Sequence, residues 1–238
     1  MTLYEMIDKR RSVRKYIDAL PDDDTVDKIE RFIENTRQLP GQNAWFEIVP
    51  SQSVSAAVGA YGILAYCEAG DAAYANVGYV LQKTDLYIQS LGLGSLWLGM
   101  GKPKAKDKRD DFCILLAFGK TDVPLRNGAS DFQRLPIERI SNEDNAIARS
   151  ARLAPSAQNS QPWELRFEED KVIVRYVGRG MFKRMLKKKL NKIDLGIVTR
   201  HVALALRNEG KDVRSVTAKS DADGFGIEVR WRAARDKT

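Results

Sequence analysis

Cysteine and histidine are nearly absent from these 238 residues: the chain has two cysteines, Cys67 and Cys113, and one histidine, His201. The cysteines stand in apolar surroundings with no CxxC pairing. The expectation is therefore two buried free thiols in a reducing compartment, not a disulfide framework or a zinc site. His201 falls on the polar side of a helical segment with no Cys, Ser or Asp partner in view. It is read as an exposed helix residue, not a catalytic base, and no nucleophilic triad can be assembled. No apolar run approaches the ~18 residues of a membrane span, and nothing after Met1 resembles a signal peptide. Neither export nor membrane contact is expected, and a cytoplasmic location follows.

What is present is an ordinary globular balance, 43% apolar and 30% charged residues, with a net charge of +7. Much of the excess lies in "MFKRMLKKKLNK", residues 181–192. Such a run could bind nucleic acid or an acidic membrane surface. Without interleaved aromatics or a nucleic-acid motif beside it, it is read as a solvated face, and no nucleic-acid partner is expected.

The chain repeats itself. Val77, Val80, Leu81, Thr84, Ile88 and Leu91 fall on one face of a helix over 76–91. Leu195, Val198, Thr199, Val202 and Leu206 give the same stripe over 194–208, offset by 118 positions. Gly78 recurs at this offset as Gly196, Gly92 as Gly210 and Trp45 as Trp163. The segments "RQLPGQNAWFEI" and "RLAPSAQNSQPWELRF" match in order, with the second loop longer. Strands are expected at 44–50, 95–100 and 112–119, then at 163–169, 171–177, 213–219 and 226–231, with a hairpin turning at Glu169 and Asp170. Helices mixed with hairpins imply an α+β fold built as two tandem repeats. The halves are taken as 1–119 and 137–238, joined by a linker of turn formers over 120–136.

Three stretches carry chemistry. In "RRSVRKY", residues 10–16, an extended backbone would set Arg10, Ser12 and Arg14 on one side, and guanidinium forks beside a hydroxyl suit a phosphate. In "LAPSAQNSQPW", residues 153–163, Ser156, Gln158, Asn159 and Gln161 offer donors and acceptors suited to a polar heterocycle or sugar-like chain. "LGLGSLWLG", residues 91–99, lacks the third glycine of a dinucleotide fingerprint and follows a helix, so it is not one. Gly92 reads instead as a helix cap in the left-handed conformation.

These three stretches together resemble the signatures of the flavin-dependent nitroreductase superfamily. The resemblance implies a nitroreductase-like fold, FMN bound between two subunits and a homodimer. In this chain the full-length Pro-Ser loop comes late, which resembles an internally duplicated branch in which one chain forms an intramolecular pseudo-dimer. By the same resemblance, Arg10, Arg11 and Ser12 would take the phosphate and ribityl end, and Arg14 the N1 and C2 edge of the ring. Pro155, Ser156 and Asn159 would approach from the other half. Trp97, Leu98 and Gly99 would line the flavin edge, and Arg134 in "DFQRLPI" would be a second phosphate ligand. Trp163 is read as a core anchor. The early loop at Pro40–Asn43 is shortened and the second half lacks a counterpart of "RRSVRKY", so one FMN per chain is expected. The implied activity is NAD(P)H-dependent reduction of a small-molecule acceptor, nitroaromatic or quinone, by a monomer. Its alternatives are a flavin-binding protein with little turnover and a basic-surface binder acting through 183–192.

Overall fold

The computed structural model describes every residue except 57, 105–108, 179–183, 223 and 234–238, and residues 184–188 by backbone alone. The side chains of the basic run lie outside the described residues as far as 188.

Two four-stranded antiparallel sheets are built in the same order. The first contains β1 (Ala44–Pro50), β2 (Tyr61–Cys67), β3 (Gly94–Leu98) and β4 (Phe112–Gly119), ordered β1-β2-β4-β3. The second contains β5 (Trp163–Glu168), β6 (Lys171–Tyr176), β7 (Lys211–Asp221) and β8 (Gly224–Ala233), ordered β5-β6-β8-β7. Four helices accompany them: α1 (Asp23–Glu34), α2 (Asp71–Ser90), α3 (Ala146–Arg152) and α4 (Arg184–Asn208). Each half therefore reads helix, two strands, long helix, two strands, and the chain is an α+β fold of two tandem repeats.

Local chemistry sets the element ends. Asp22 caps α1, its carboxylate accepting from Thr25 N at 2.8 Å, and Asn145 caps α3 through Ala148 N. Gly92 and Gly210 follow α2 and α4 with φ of +80° and +69°, the left-handed exit that a glycine permits. Both long helices start earlier than the stripe of apolar residues implied, α2 with the small residues Ala72, Ala73 and Ala75 and α4 within the basic run. β2 gives no alternating signal at all. Ile63, Ala65 and Cys67 point into the main core, while Leu64 and Tyr66 enter a smaller one with Val54 and Leu115 on the far side of the sheet. A strand buried on both faces loses its period of two.

The long helices cross at their glycines. A Cβ on Gly78 would lie 2.0 Å from Ile193 O, and one on Gly196 would lie 1.8 Å from Ala75 O. The two contacts map onto each other by the same offset of 118, Gly78 onto Gly196 and Ala75 onto Ile193, so the crossing repeats itself under exchange of the halves, as at a twofold interface. Around it α2 and α4 are buried on nearly all sides between the sheets.

One likeness of sequence does not carry into the structure, and one expectation fails. Trp45 and Trp163 align in sequence but face opposite ways: Trp163 is fully buried, whereas Trp45 is 48% exposed. Trp163 pairs with Tyr176 on the core face of its sheet. On the core face of the first sheet the corresponding pair is Ala44 and Cys67, which turns Trp45 outward with Tyr66. A slip of one residue reverses a strand's faces. His201 is also not exposed. The side of α4 that carries it packs on α2 and α3, and the ring is completely buried.

Candidate active site

A minor core draws the chemistry-bearing segments together. Met6 and Ile7 of the N-terminal turn pack with Leu86 of α2, Phe132 of the linker and Leu153, where the Pro-Ser loop begins. Arg10 and the 153–163 loop are thereby placed on the two sides of one cluster.

The "RRSVRKY" strap lies along β3, with Ser12 bridging Ser95 and Val13 N donating to Ser95 O at 2.9 Å. It is pinned by α2 side chains that the sequence motif does not contain. Gln89 accepts from Arg11 N at 2.9 Å and donates to Arg11 O at 3.0 Å. Arg10 is 2% exposed, and its Nε stands 3.0 Å from Asp85 Oδ2. Asp85 also accepts from Ser95 Oγ, Gln89 and Gln82. Gln82 Nε2 in turn lies 3.2 Å from His201 Nε2, and His201 Nδ1 lies 3.0 Å from Ser150 O. Because a carbonyl only accepts, Nδ1 carries the proton and Nε2 accepts from Gln82. Burial pushes the imidazole pKa down to about 3, which keeps this ring neutral. A hydrogen-bonded chain thus runs from α3 of the second half to the strap of the first.

Around this carboxylate the site is cationic. Arg126 donates to Arg10 O and lies 4.1 Å from the Phe132 ring, with Arg134 at 5.2 Å from the same ring. Arg134 is brought down to about 10 by burial and then by the charges of Arg10, Arg126 and Arg152. Arg126 is lowered by burial and by Arg10 and Arg11. Arg10 Nη2 and Arg134 Nε are buried without a partner. Unpartnered buried donors in a crowd of like charges form an arrangement that an anion would satisfy.

The loop opposite is strained and clamped. Gln158, Asn159 and Gln161 have φ of 54°, 55° and 45°, values rare for side-chain-bearing residues. The clamps come from three directions. Asn159 accepts from Arg134 at 2.6 Å and donates to Gln133 O at 2.8 Å, Gln161 accepts from Leu135 N, and Ser156 Oγ accepts from Gln161 N at 2.9 Å. From α4, the buried Asp194 carboxyl accepts from Ala157 N. Desolvation raises this acid to about 8. Its counterpart at the 118 offset, Asn76, accepts from Leu39 N at 2.8 Å beneath the shorter first-half loop.

The structure thus brings Arg10, Ser12, Arg134 and Asn159 into one neighbourhood, with Pro155 buried and Ser156 half-buried at its edge. Arg11 stands near Arg126, its guanidinium donating to Pro124 O at 2.8 Å. Arg14 is exposed. Trp97 sits on the core side of β3 with Nε1 buried and unpartnered, Leu98 packs into the far-side core, and Gly99 faces Leu190 of α4. Sequence reasoning missed Asp85, Gln89 and Arg126. Polar residues inside an otherwise apolar helix were the available signal for the first two. Arg126 lay unmarked among turn formers.

Residues 2–206 match the model of a protein family described as "Putative TM nitroreductase". The chain belongs to this family. Among solved structures, a protein from Thermotoga maritima described as a "putative nitroreductase" superposes with a TM-score of 0.69 at 19% identity, over 97% of this chain and 94% of that one. A nitroreductase family protein from Clostridium difficile gives a TM-score of 0.50 at 17% identity, and 61% of this chain covers 100% of that one. A neighbour of full length beside another spanning about three-fifths of the chain fits a nitroreductase fold in a fused, two-repeat arrangement. No curated protein matches. Among the described residues, no helix is long and apolar enough to cross a membrane and no group of three or more metal-ligating side chains occurs.

Proposed function

We propose that the chain is an FMN-dependent oxidoreductase that takes electrons from NAD(P)H and delivers them to a small-molecule acceptor of the nitroaromatic or quinone type. The observation that carries this reading is the cluster of Arg10, Arg126 and Arg152 around the buried Arg134, with the carboxylate of Asp85 paired to Arg10 and two guanidinium donors left unpartnered. A phosphate monoester supplies the missing negative charge and accepts several charge-assisted hydrogen bonds. FMN is a flavin with such a terminus, so the residues present fit it.

In this reading Arg10, Arg126 and Arg134 hold the phosphate, and Ser12 offers its hydroxyl to the adjoining chain. Pro155 and Ser156 close the site from the second half, with Trp97, Leu98 and Gly99 along its other edge. Arg14 would offer a positive charge to the flavin ring, stabilising the charge that builds up on reduction. Arg11 ties the strap to the linker and is not a ligand. Bound flavin supplies the hydride and electron transfer, so no protein nucleophile is required. Ala203 stands at the 118 offset from Asp85, and Arg200 and Arg207 stand opposite Gln82 and Gln89. The second half therefore has no means of holding an equivalent strap, and one FMN binds per chain. The fused halves supply the usual dimer interface, and the chain acts as a monomer.

The test is an anaerobic absorption titration of the purified protein with FMN, followed by NADH or NADPH. Saturation at one equivalent with bleaching of the flavin band supports the reading. Flavin that stays oxidised demotes the chain to a binding protein, two equivalents refute the single site, and no uptake refutes the reading altogether.

A further inference from the structure

The first sheet contains one irregularity that the second lacks. Between β2 and β4 the pairing moves from Ala65 with Ile114 to Tyr66 with Phe112, leaving Cys113 as an extra residue opposite that step. The matching strands of the second sheet, β6 and β8, run through the same region in unbroken register from Lys171 to Arg175. A bulge re-aims the side chain it carries. Here it turns the Cys113 thiol to the same core face as the thiol of Cys67, at the end of the neighbouring strand. The two sulfurs lie on the core face where the second sheet places the large pair Trp163 and Tyr176.

We propose that Cys67 and Cys113 form a redox-active dithiol that a hydroperoxide converts to an intramolecular disulfide. Cys67 faces Asp111 across the strands, and the bulge draws Cys113 in from the regular diagonal spacing of about 7–8 Å towards the roughly 4.4–6.8 Å that a disulfide spans. Lys189 stands beside the pair, its ammonium donating to Phe112 O at 2.8 Å and lying 5.3 Å from the Tyr74 ring. The neighbouring Cys113 thiol and the charge of Lys189 hold the Cys67 thiol below its ordinary range, while the Cys67 thiol and burial push Cys113 up. Cys67 is therefore the attacking sulfur. Residues 68–70, next along the chain, line a cleft of about 310 Å³ that admits a molecule as small as hydrogen peroxide.

The chemistry balances. The Cys67 thiolate attacks one peroxide oxygen, the O–O bond breaks, and a sulfenic acid forms as hydroxide leaves and takes up a proton to become water. The Cys113 sulfur then attacks the sulfenic sulfur. The S–O bond breaks, the Cys113 proton leaves with the hydroxyl as a second water, and the S–S bond forms. Two thiols are oxidised by two electrons, and one peroxide is reduced to two waters. None of this depends on flavin.

The experiment treats the full-length protein with hydrogen peroxide, denatures it in N-ethylmaleimide and records its intact mass. The expected product is about 2 Da lighter than the untreated chain and takes up no maleimide. The untreated protein, and oxidised protein returned with dithiothreitol, take up two. Cys67→Ser and Cys113→Ser, checked for folding by circular dichroism, are each expected to lose the mass decrease. Retention of both free thiols, oxygen addition without loss of hydrogen, or a disulfide between two chains would overturn the proposal. The wild-type masses alone decide it if a serine variant fails to fold.

Discussion

Gly78 and Gly196 each sit beneath the backbone of the opposite helix, with Ile193 O and Ala75 O where a Cβ would be. Helical backbone cannot retreat as a flexible side chain can. Gly78→Ala and Gly196→Ala are therefore each expected to lower stability by about 3 kcal/mol, the upper part of the range for overpacking. Urea midpoints at a constant slope measure this, and a loss within ~0.5 kcal/mol, as for an ordinary surface site, would contradict the crossing.

The aligned tryptophans are expected to respond very differently. Trp163→Ala removes a fully buried indole and costs about 3–5 kcal/mol, whereas Trp45→Ala, on the open side of β1, costs about 1 kcal/mol or less. Equal losses in the two variants would show that both rings point inward.

The buried titrations have opposite signs. His201 ionises at about 3 when folded and near 6.5 when unfolded, so its contribution is full above pH 6.5 and is lost as the pH falls towards 3. Asp194 ionises at about 8 when folded and near 3.8 when unfolded, so its contribution is full below pH 3.8 and is lost as the pH rises towards 8. In the window between pH 4 and 6 the two slopes oppose, and the wild type shows a flattened profile. Relative to wild type, His201→Gln gains stability as the pH falls through that window, and Asp194→Asn gains as the pH rises through it. Each change is at most about 1.4 kcal/mol per pH unit. Parallel stability curves for wild type and variant would refute the burial of that group in its folded form.

Arg126→Gln tests the anion cluster without touching the α2 network. Loss of a charge-assisted hydrogen bond of about 1.5–3 kcal/mol predicts that FMN affinity falls roughly tenfold or more. Riboflavin, which lacks the phosphate, is expected to bind the variant and the wild type alike. Fluorescence titration with both flavins reads the difference, and an equal fall for both would place Arg126 away from the phosphate.

Repetition and composition made the architecture legible: the matched helices, most strands and the left-handed glycines all left local marks. What was hidden required knowledge of facing. "YGILAYC" reads as a featureless apolar run because both sides of β2 are covered. Trp45 and Trp163 align well as letters, yet the strands carrying them start one residue out of phase. His201 aligns with Lys83 as a polar helix position, but on α4 that position meets α2 and α3. For the candidate site, Arg10, Ser12, Arg134 and Asn159 were singled out through the likeness of their stretches. Asp85 and Gln89, which hold the strap, act through tertiary contacts that no spacing in the chain records.

The reciprocal crossing of α2 and α4 has a consequence for how such a protein can change. When two identical chains meet about an axis, every substitution enters both sides of the seam together, and a residue useful on one side must be harmless on the other. Joining the copies end to end removes that requirement. Asp85 could persist where Ala203 stands opposite, and a Pro-Ser loop could shrink in one copy while staying whole in the other. The covalent link gives each copy a high local concentration of the other that dilution cannot reduce, so division of labour need not wait for two separately encoded subunits to learn to recognise each other.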